Sequence, residues 1–136
     1  MTHLLDTCIC VFLIRDKHPS VRSKFRSFDL SHLAVSSISE AELRYGASKS
    51  MQPSKNHALL DCLFQPLQVL PFDHHDAAHY GVIRQSLEKE GVPIGPLDLL
   101  IAAHARAKNL VLVTNNTKEF LRVPGLRVED WFDSSS

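Results

Sequence analysis

The sequence has no surplus of either charge. Its 15 Lys and Arg are matched by 15 Asp and Glu, and the formal net charge is +0. That balance excludes a supercharged nucleic-acid binder and a charged disordered tail, which both depend on one sign of charge. Local basic patches stay open. Long hydrophobic runs are also missing, and none approaches the roughly 20 residues that span a bilayer. The opening MTHLLDTCIC has no basic segment and meets an acid at Asp6, so no signal peptide is expected and the protein is expected to be cytoplasmic, away from membranes. Cysteine is sparse: Cys8, Cys10 and Cys62 are an odd number, and the first two are too close in the chain to staple anything. All three are expected as small, reduced, buried or half-buried side chains. Structural zinc sites usually take C-x2-C or wider, so C-x-C does not read as one. His75 and His79 are four apart, but HDAAH lacks the glutamate of H-E-x-x-H. There is no P-loop, and no Ser or Cys nucleophile has a credible His partner, which argues against covalent catalysis.

What remains is an ordinary domain length, 136 residues with 44% hydrophobic residues, enough for one proper core. Strand signals alternate with helical ones. HLL at 3–5, HLAVS at 32–36, LQVLPF at 67–72, LVLVT at 110–114 and LRVEDW at 126–131 read as strands. Between them lie helical patterns over 7–16, 19–28, 37–50, 53–65, 73–91 and 96–109. Pro19 suits a first helical turn, Ser37 and Glu40 have the S-x-x-E spacing of a capping box, and Gly91 and Asn109 are stops. Such alternation predicts an α/β fold, a central parallel sheet flanked by helices on both faces. One domain is expected over 2–132, with 133–136 as a short tail.

In sheets of this kind the working residues sit beyond the carboxyl ends of the strands. Asp6 follows the first strand directly; Thr114, Asn115 and Asn116 follow LVLV; Glu42 and Asp98 lie near the starts of helices that border the same edge. Each acid alone has an ordinary explanation. Asp6 can cap a helix, and Asp98 can sit in a first turn where the macrodipole favours a carboxylate. Glu42 lies beyond the capping position, among Ala41, Leu43 and Tyr45. Together, three carboxylates set in apolar sequence and converging on one edge repel one another and call for a cation. Oxygen ligands without a His or Cys cluster suit Mg2+ or Mn2+. Such an acidic pocket suits metal-assisted phosphodiester hydrolysis.

LLDTCIC, VSSISEAELRYGASKS, PIGPLDLLIAAHARAKNLVLVTNNTKEF and VPGLRVEDW resemble, in order, the motifs of PIN-domain ribonucleases, and among these the VapC toxins of type II toxin–antitoxin modules. The resemblance covers nearly the whole chain. It implies a single PIN-like domain and a Mg2+-dependent endoribonuclease that cuts structured RNA, a tRNA in a single-stranded loop, and so inhibits translation. It implies that Asp6, Glu42 and Asp98 hold the metal, that Asn116 or Glu119 completes the shell, and that Thr114 orients it. Two departures stand out: Cys8 replaces the usual Asn of L-D-T-N, and Asn116 stands where many PIN domains have Asp. Lys118 and Arg122 are expected on RNA phosphates, with Thr7 a helper beside them by position. His104, six residues past Asp98, is expected to point away from the acids. The family further implies a VapB-type antitoxin as partner, operator DNA reached only through that antitoxin, and a homodimer. The competing readings are a non-catalytic PIN-like module that binds a DNA-binding antitoxin, and a phosphatase of another α/β family, whose D-x-D pattern DTC does not supply.

Overall fold

The structure, a computed structural model, describes residues 1–132, so the expected tail at 133–136 lies outside the described residues. Five strands form one sheet: β1 (His3–Leu5), β2 (Leu33–Ser36), β3 (Gln68–Leu70), β4 (Val111–Val113) and β5 (Val128–Glu129). Their order is β3-β2-β1-β4-β5, and every pairing is parallel. The connecting helices are α1 (Thr7–Arg15), α2 (Pro19–Ser27), α3 (Ser37–Ser48), α4 (Pro53–Phe64), α5 (His74–Lys89), α6 (Pro96–Ala107) and α7 (Thr117–Phe120). Among the described residues, no helix is long and apolar enough to cross a membrane.

Side-chain alternation along the strands feeds two cores. Leu4, Ala34 and Leu112 face one layer with Ile83, Ile101 and Phe120. Leu5, Leu33, Val35 and Val113 face the other, with Ile9, Leu60 and Trp131. Leu4, Leu5, Leu112 and Val113 have 0% exposure. Burying such side chains is worth about 1.5–3 kcal/mol each, so the strand ends next to them are firmly seated.

The register decides what lies at the carboxyl edge. Leu5 pairs with both Val35 and Val113. The next residues, Asp6, Ser36 and Thr114, therefore emerge level with one another. β1 leads to β2 on one side while β4 joins from the other, so the crevice between β1 and β4 is the switch point where α/β sheets bind ligands.

Local details depart from sequence expectation, and Cys62, expected as buried or half-buried, is exposed. Ser37 and Glu40 form no capping box. β2 runs into α3 without a loop, so its last residue, Ser36, is the cap and accepts from Ile38 N at 3.0 Å. Ser37 Oγ instead accepts from Phe72 N at 3.1 Å, and Glu40 pairs with Arg44 at 3.4 Å. The capping box belongs to Asp73 and Asp76 at the start of α5. β3 and β5 are shorter than the apolar runs that contain them, and α7 is a short helix without a hydrophobic period to announce it. The stops hold: Gly91 and Asn109 have φ of 73° and 56°.

Candidate active site

Asp6 ends the central strand and also caps α1. Its Oδ1 accepts from Thr7 N at 2.8 Å, and its Oδ2 accepts from Thr114 Oγ1 at 2.8 Å. The capping role and the cleft role are thus compatible. Asp6 is 4% exposed, and burial raises its pKa against the Thr114 hydrogen bond, which lowers it. Thr114 receives the backbone N–H of Asn116 on the same oxygen at 3.0 Å, so it links β4 and the following turn to the carboxylate.

Glu42 reaches the edge from the second turn of α3. The Thr7 hydroxyl donates to Glu42 Oε1 at 2.8 Å and lies 3.0 Å from Ser39 Oγ. Thr7, expected beside the substrate, is therefore engaged in holding Glu42. Ser39, three residues before Glu42 and on the same helical face, was missed in the sequence; the i,i+3 spacing was its only signal.

Asp98 stands in the first turn of α6, behind Gly95 and Pro96. Among the described residues its carboxylate accepts no hydrogen bond, unlike those of Asp6 and Glu42. Its pKa is pushed up to about 6 by partial burial and then by the charges of Asp6, Glu119 and Glu42. It is half-buried among carboxylates of the same charge.

Asn116 and Glu119 occupy different places at this edge. Asn115 and Asn116 line the cleft with Asp6, Cys8, Glu42 and Asp98, around about 530 Å³ of open space. Glu119 lies behind them: one oxygen accepts from Gly95 N at 3.0 Å and the other from Asn116 Nδ2 at 2.6 Å. It anchors the start of α6 and turns the Asn116 amide, and its charge still reaches Asp6 and Asp98. Cys8, in place of the usual amide, sets its Sγ 3.5 Å from Asp6 Oδ2 and 3.6 Å from Thr114 Oγ1. Burial and the Asp6 charge push its thiol up to about 11, so it is a neutral weak donor here. Lys118 is exposed on α7, while Arg122 donates to Pro93 O at 3.4 Å.

Among the described residues, no three His, Cys, Asp or Glu side chains are gathered closely enough to hold a metal ion as they stand. The acids line an open cleft instead of a closed cage. The donor set is nevertheless that of a hard cation: carboxylate oxygens with amides beside them, and an unbonded, mutually repelled Asp98.

A family model described as "PIN domain" matches residues 3–126. This chain belongs to the PIN-domain family. Within it, the VapC proteins are close relatives of this PIN domain. It is 46% identical over 128 residues to the tRNA(fMet)-specific endonuclease VapC of Shigella flexneri, covering 94% of this chain and 96% of that protein. It is 44% identical over 135 residues to ribonuclease VapC2 of Rickettsia felis, covering 96% and 98%. The solved structure of DNA-bound VapBC from Salmonella typhimurium contains a chain that superposes with a TM-score of 0.92 at 44% identity, covering 96% of this PIN domain and 98% of that chain. The fold expected from the sequence, a single α/β PIN domain, is the fold observed.

Proposed function

We propose that this PIN domain is a divalent-metal-dependent endoribonuclease toxin acting on tRNA, with Mg2+ as its ion and Mn2+ as a substitute. The observation that carries the reading is Asp98, a carboxylate without a hydrogen bond, raised in pKa by its acidic neighbours at the switch point of a parallel sheet. Asp6, Glu42 and Asp98 would hold the ion, which when bound supplies Lewis-acid activation of water and charge neutralisation at a phosphodiester. The rest is the work of the chain. Thr114 and Thr7 fix the facing oxygens of Asp6 and Glu42, and Glu119 orients the Asn116 amide toward the cleft. The open cleft fits a splayed single-stranded loop better than a duplex, and the tRNA named for the Shigella and Salmonella relatives makes tRNA the first substrate to try.

An apolar groove of about 600 Å³ between α1, α3 and α4, lined by Val11, Ile14, Leu43, Leu59 and Leu60, shares Thr7 and Glu42 with the cleft. It fits an antitoxin segment of the VapB type, and the relatives solved as VapBC complexes support that partner. Operator DNA would then be reached through the antitoxin. Ile38, Tyr45 and Leu97 form a second apolar depression, suited to the homodimer expected of the family.

The deciding experiment incubates the purified protein with a tRNA pool in Mg2+ or in EDTA and resolves the products on a denaturing gel. Discrete fragments in Mg2+ and intact RNA in EDTA are expected; cutting that is equal in both, or no cutting at all, would refute the proposal. Lys118 supplies a further check. Lys118→Gln should raise KM about threefold, leave kcat unchanged and reduce the slope of log affinity against log salt by about 1, as for one lost phosphate contact. An unchanged slope removes Lys118 from the RNA path.

A further inference from the structure

At the same edge of the sheet lies a polar cluster that the cleft does not use. Ser36, Asp76 and His104 each have 0% exposure, which bars any substrate from what looks like a Ser–His–Asp arrangement. His104 Nδ1 lies 2.7 Å from Ser36 Oγ, the oxygen that also accepts Ile38 N–H to cap α3. On its other side His104 Nε2 faces Asp76 Oδ2 at 3.4 Å, too far off line for a hydrogen bond. The Lys108 ammonium stands 3.4 Å from the other Asp76 oxygen. The Phe72 ring meets the imidazole edge-on at 5.6 Å.

These contacts select a tautomer. A deprotonated Nε2 would set its lone pair close to a carboxylate oxygen, and that proximity favours the proton on Nε2. Nδ1 is then an acceptor. The Ser36 hydroxyl donates to it and keeps a lone pair for Ile38 N–H. The Ser36 hydroxyl proton and the Ile38 N–H are each used once, and the cap of α3 is tied to the last turn of α6.

The position of this tie matters. Ser36 is six residues before Glu42, and His104 is six residues after Asp98. Asp98 makes no hydrogen bond of its own among the described residues, so the backbone of α6 alone sets its place. We infer that His104 is a positioning residue for the acidic cleft: its hydrogen bond to Ser36 holds α3 against α6 and so fixes Glu42 relative to Asp98. This rests on the reading that those carboxylates hold a divalent cation.

Two substitutions separate the hydrogen bond from mere filling of space. In His104→Asn the side-chain oxygen can stand where Nδ1 stands and still accept from Ser36. In His104→Gln the amide reaches the Nε2 position and Ser36 loses its acceptor. Mn2+ affinity is measured by calorimetry on the folded full-length proteins, with amide exchange at Ile38 followed by NMR. Compared with wild type, His104→Asn should bind within about twofold, whereas His104→Gln should lose about tenfold, the lower end for residues that support metal ligands. Ile38 exchange should quicken in His104→Gln alone. If both variants melt earlier but bind Mn2+ as wild type does, or if both lose affinity equally, the positioning role is overturned. Should either variant fail to fold, nitrogen-15 NMR of the wild-type imidazoles decides: a hydrogen-bonded Nδ1 for His104, in either tautomer, supports the role and an Nδ1 without a hydrogen bond overturns it. Wild type and Asp98→Asn are titrated alongside. A wild type that binds no Mn2+ refutes the cation reading, while the hydrogen bond at His104 Nδ1 and the Ile38 exchange still judge the tie between the helices.

Discussion

Asp98→Asn should abolish RNA cleavage and at the same time stabilise the ion-free protein. The loss follows from the proposed chemistry. Removing one charge that holds the cation facing the phosphodiester should lower kcat on the order of 10³-fold, comparable to deleting a preorganised electrostatic stabiliser. The gain follows from the repulsion already present. The Asp98 pKa is pushed up to about 6 in the folded protein from an ordinary value of 3.8. Between these values the folded state keeps a proton that the unfolded chain releases, so this group's contribution to stability falls as pH rises through that window. Above it the full penalty applies. The difference would be near 3 kcal/mol if taken at face value, but Asp98 is only half-buried, and solvent screening reduces it to about 1 kcal/mol. Asparagine removes the penalty at neutral pH. Denaturant unfolding in EDTA checks the stability, and single-turnover cleavage checks the rate. An active Asp98→Asn, or one that is inactive and clearly less stable than wild type, would contradict this account. The opposite signs reflect a cleft kept strained for function against a firmly seated core.

Cation affinity should fall steeply in acid. An ion must displace the proton from Asp98, so above about pH 6 this group leaves the affinity unchanged. Below it, affinity should drop about tenfold for each pH unit. Asp6, also raised by burial, can only steepen the fall. Bound ion should also release protons and pull the Asp98 pKa down, since an opposite charge favours the ionised form. Calorimetric titration with Mn2+ at about pH 5 and about pH 7.5 should differ more than tenfold, and the Asp98→Asn variant should lose most of that difference along with much of its affinity. Equal affinities at the two pH values in the wild type would mean that Asp98 is not a ligand.

The sequence by itself determined much of this protein. Helix starts at Pro19, Pro53 and Pro96, stops at Gly91 and Asn109, and the alternation of strands with helices are set by neighbours in the chain, through capping, proline geometry and hydrophobic period. Asp6, Glu42 and Asp98 were legible because each is a charge set in apolar sequence next to an element boundary. The tertiary structure alone decided the rest. Strand order and register bring Asp6, Ser36 and Thr114 level, although 30 residues separate the first two and 78 the last two in the chain. Whether Asn116 or Glu119 faces the cleft depends on the backbone N–H of Gly95, which claims one Glu119 oxygen. Thr7 turns toward Glu42 because α3 passes beside α1. Ser36, and not Ser37, caps α3 because Phe72 N, from the end of another strand, takes the Ser37 hydroxyl. His104, which the sequence placed only as facing away from the acids, meets Ser36 and Asp76 because three helices and a strand end converge around it. In each case the partner is remote in the chain, and hydrogen-bond competition between remote groups is settled only after the two cores have closed.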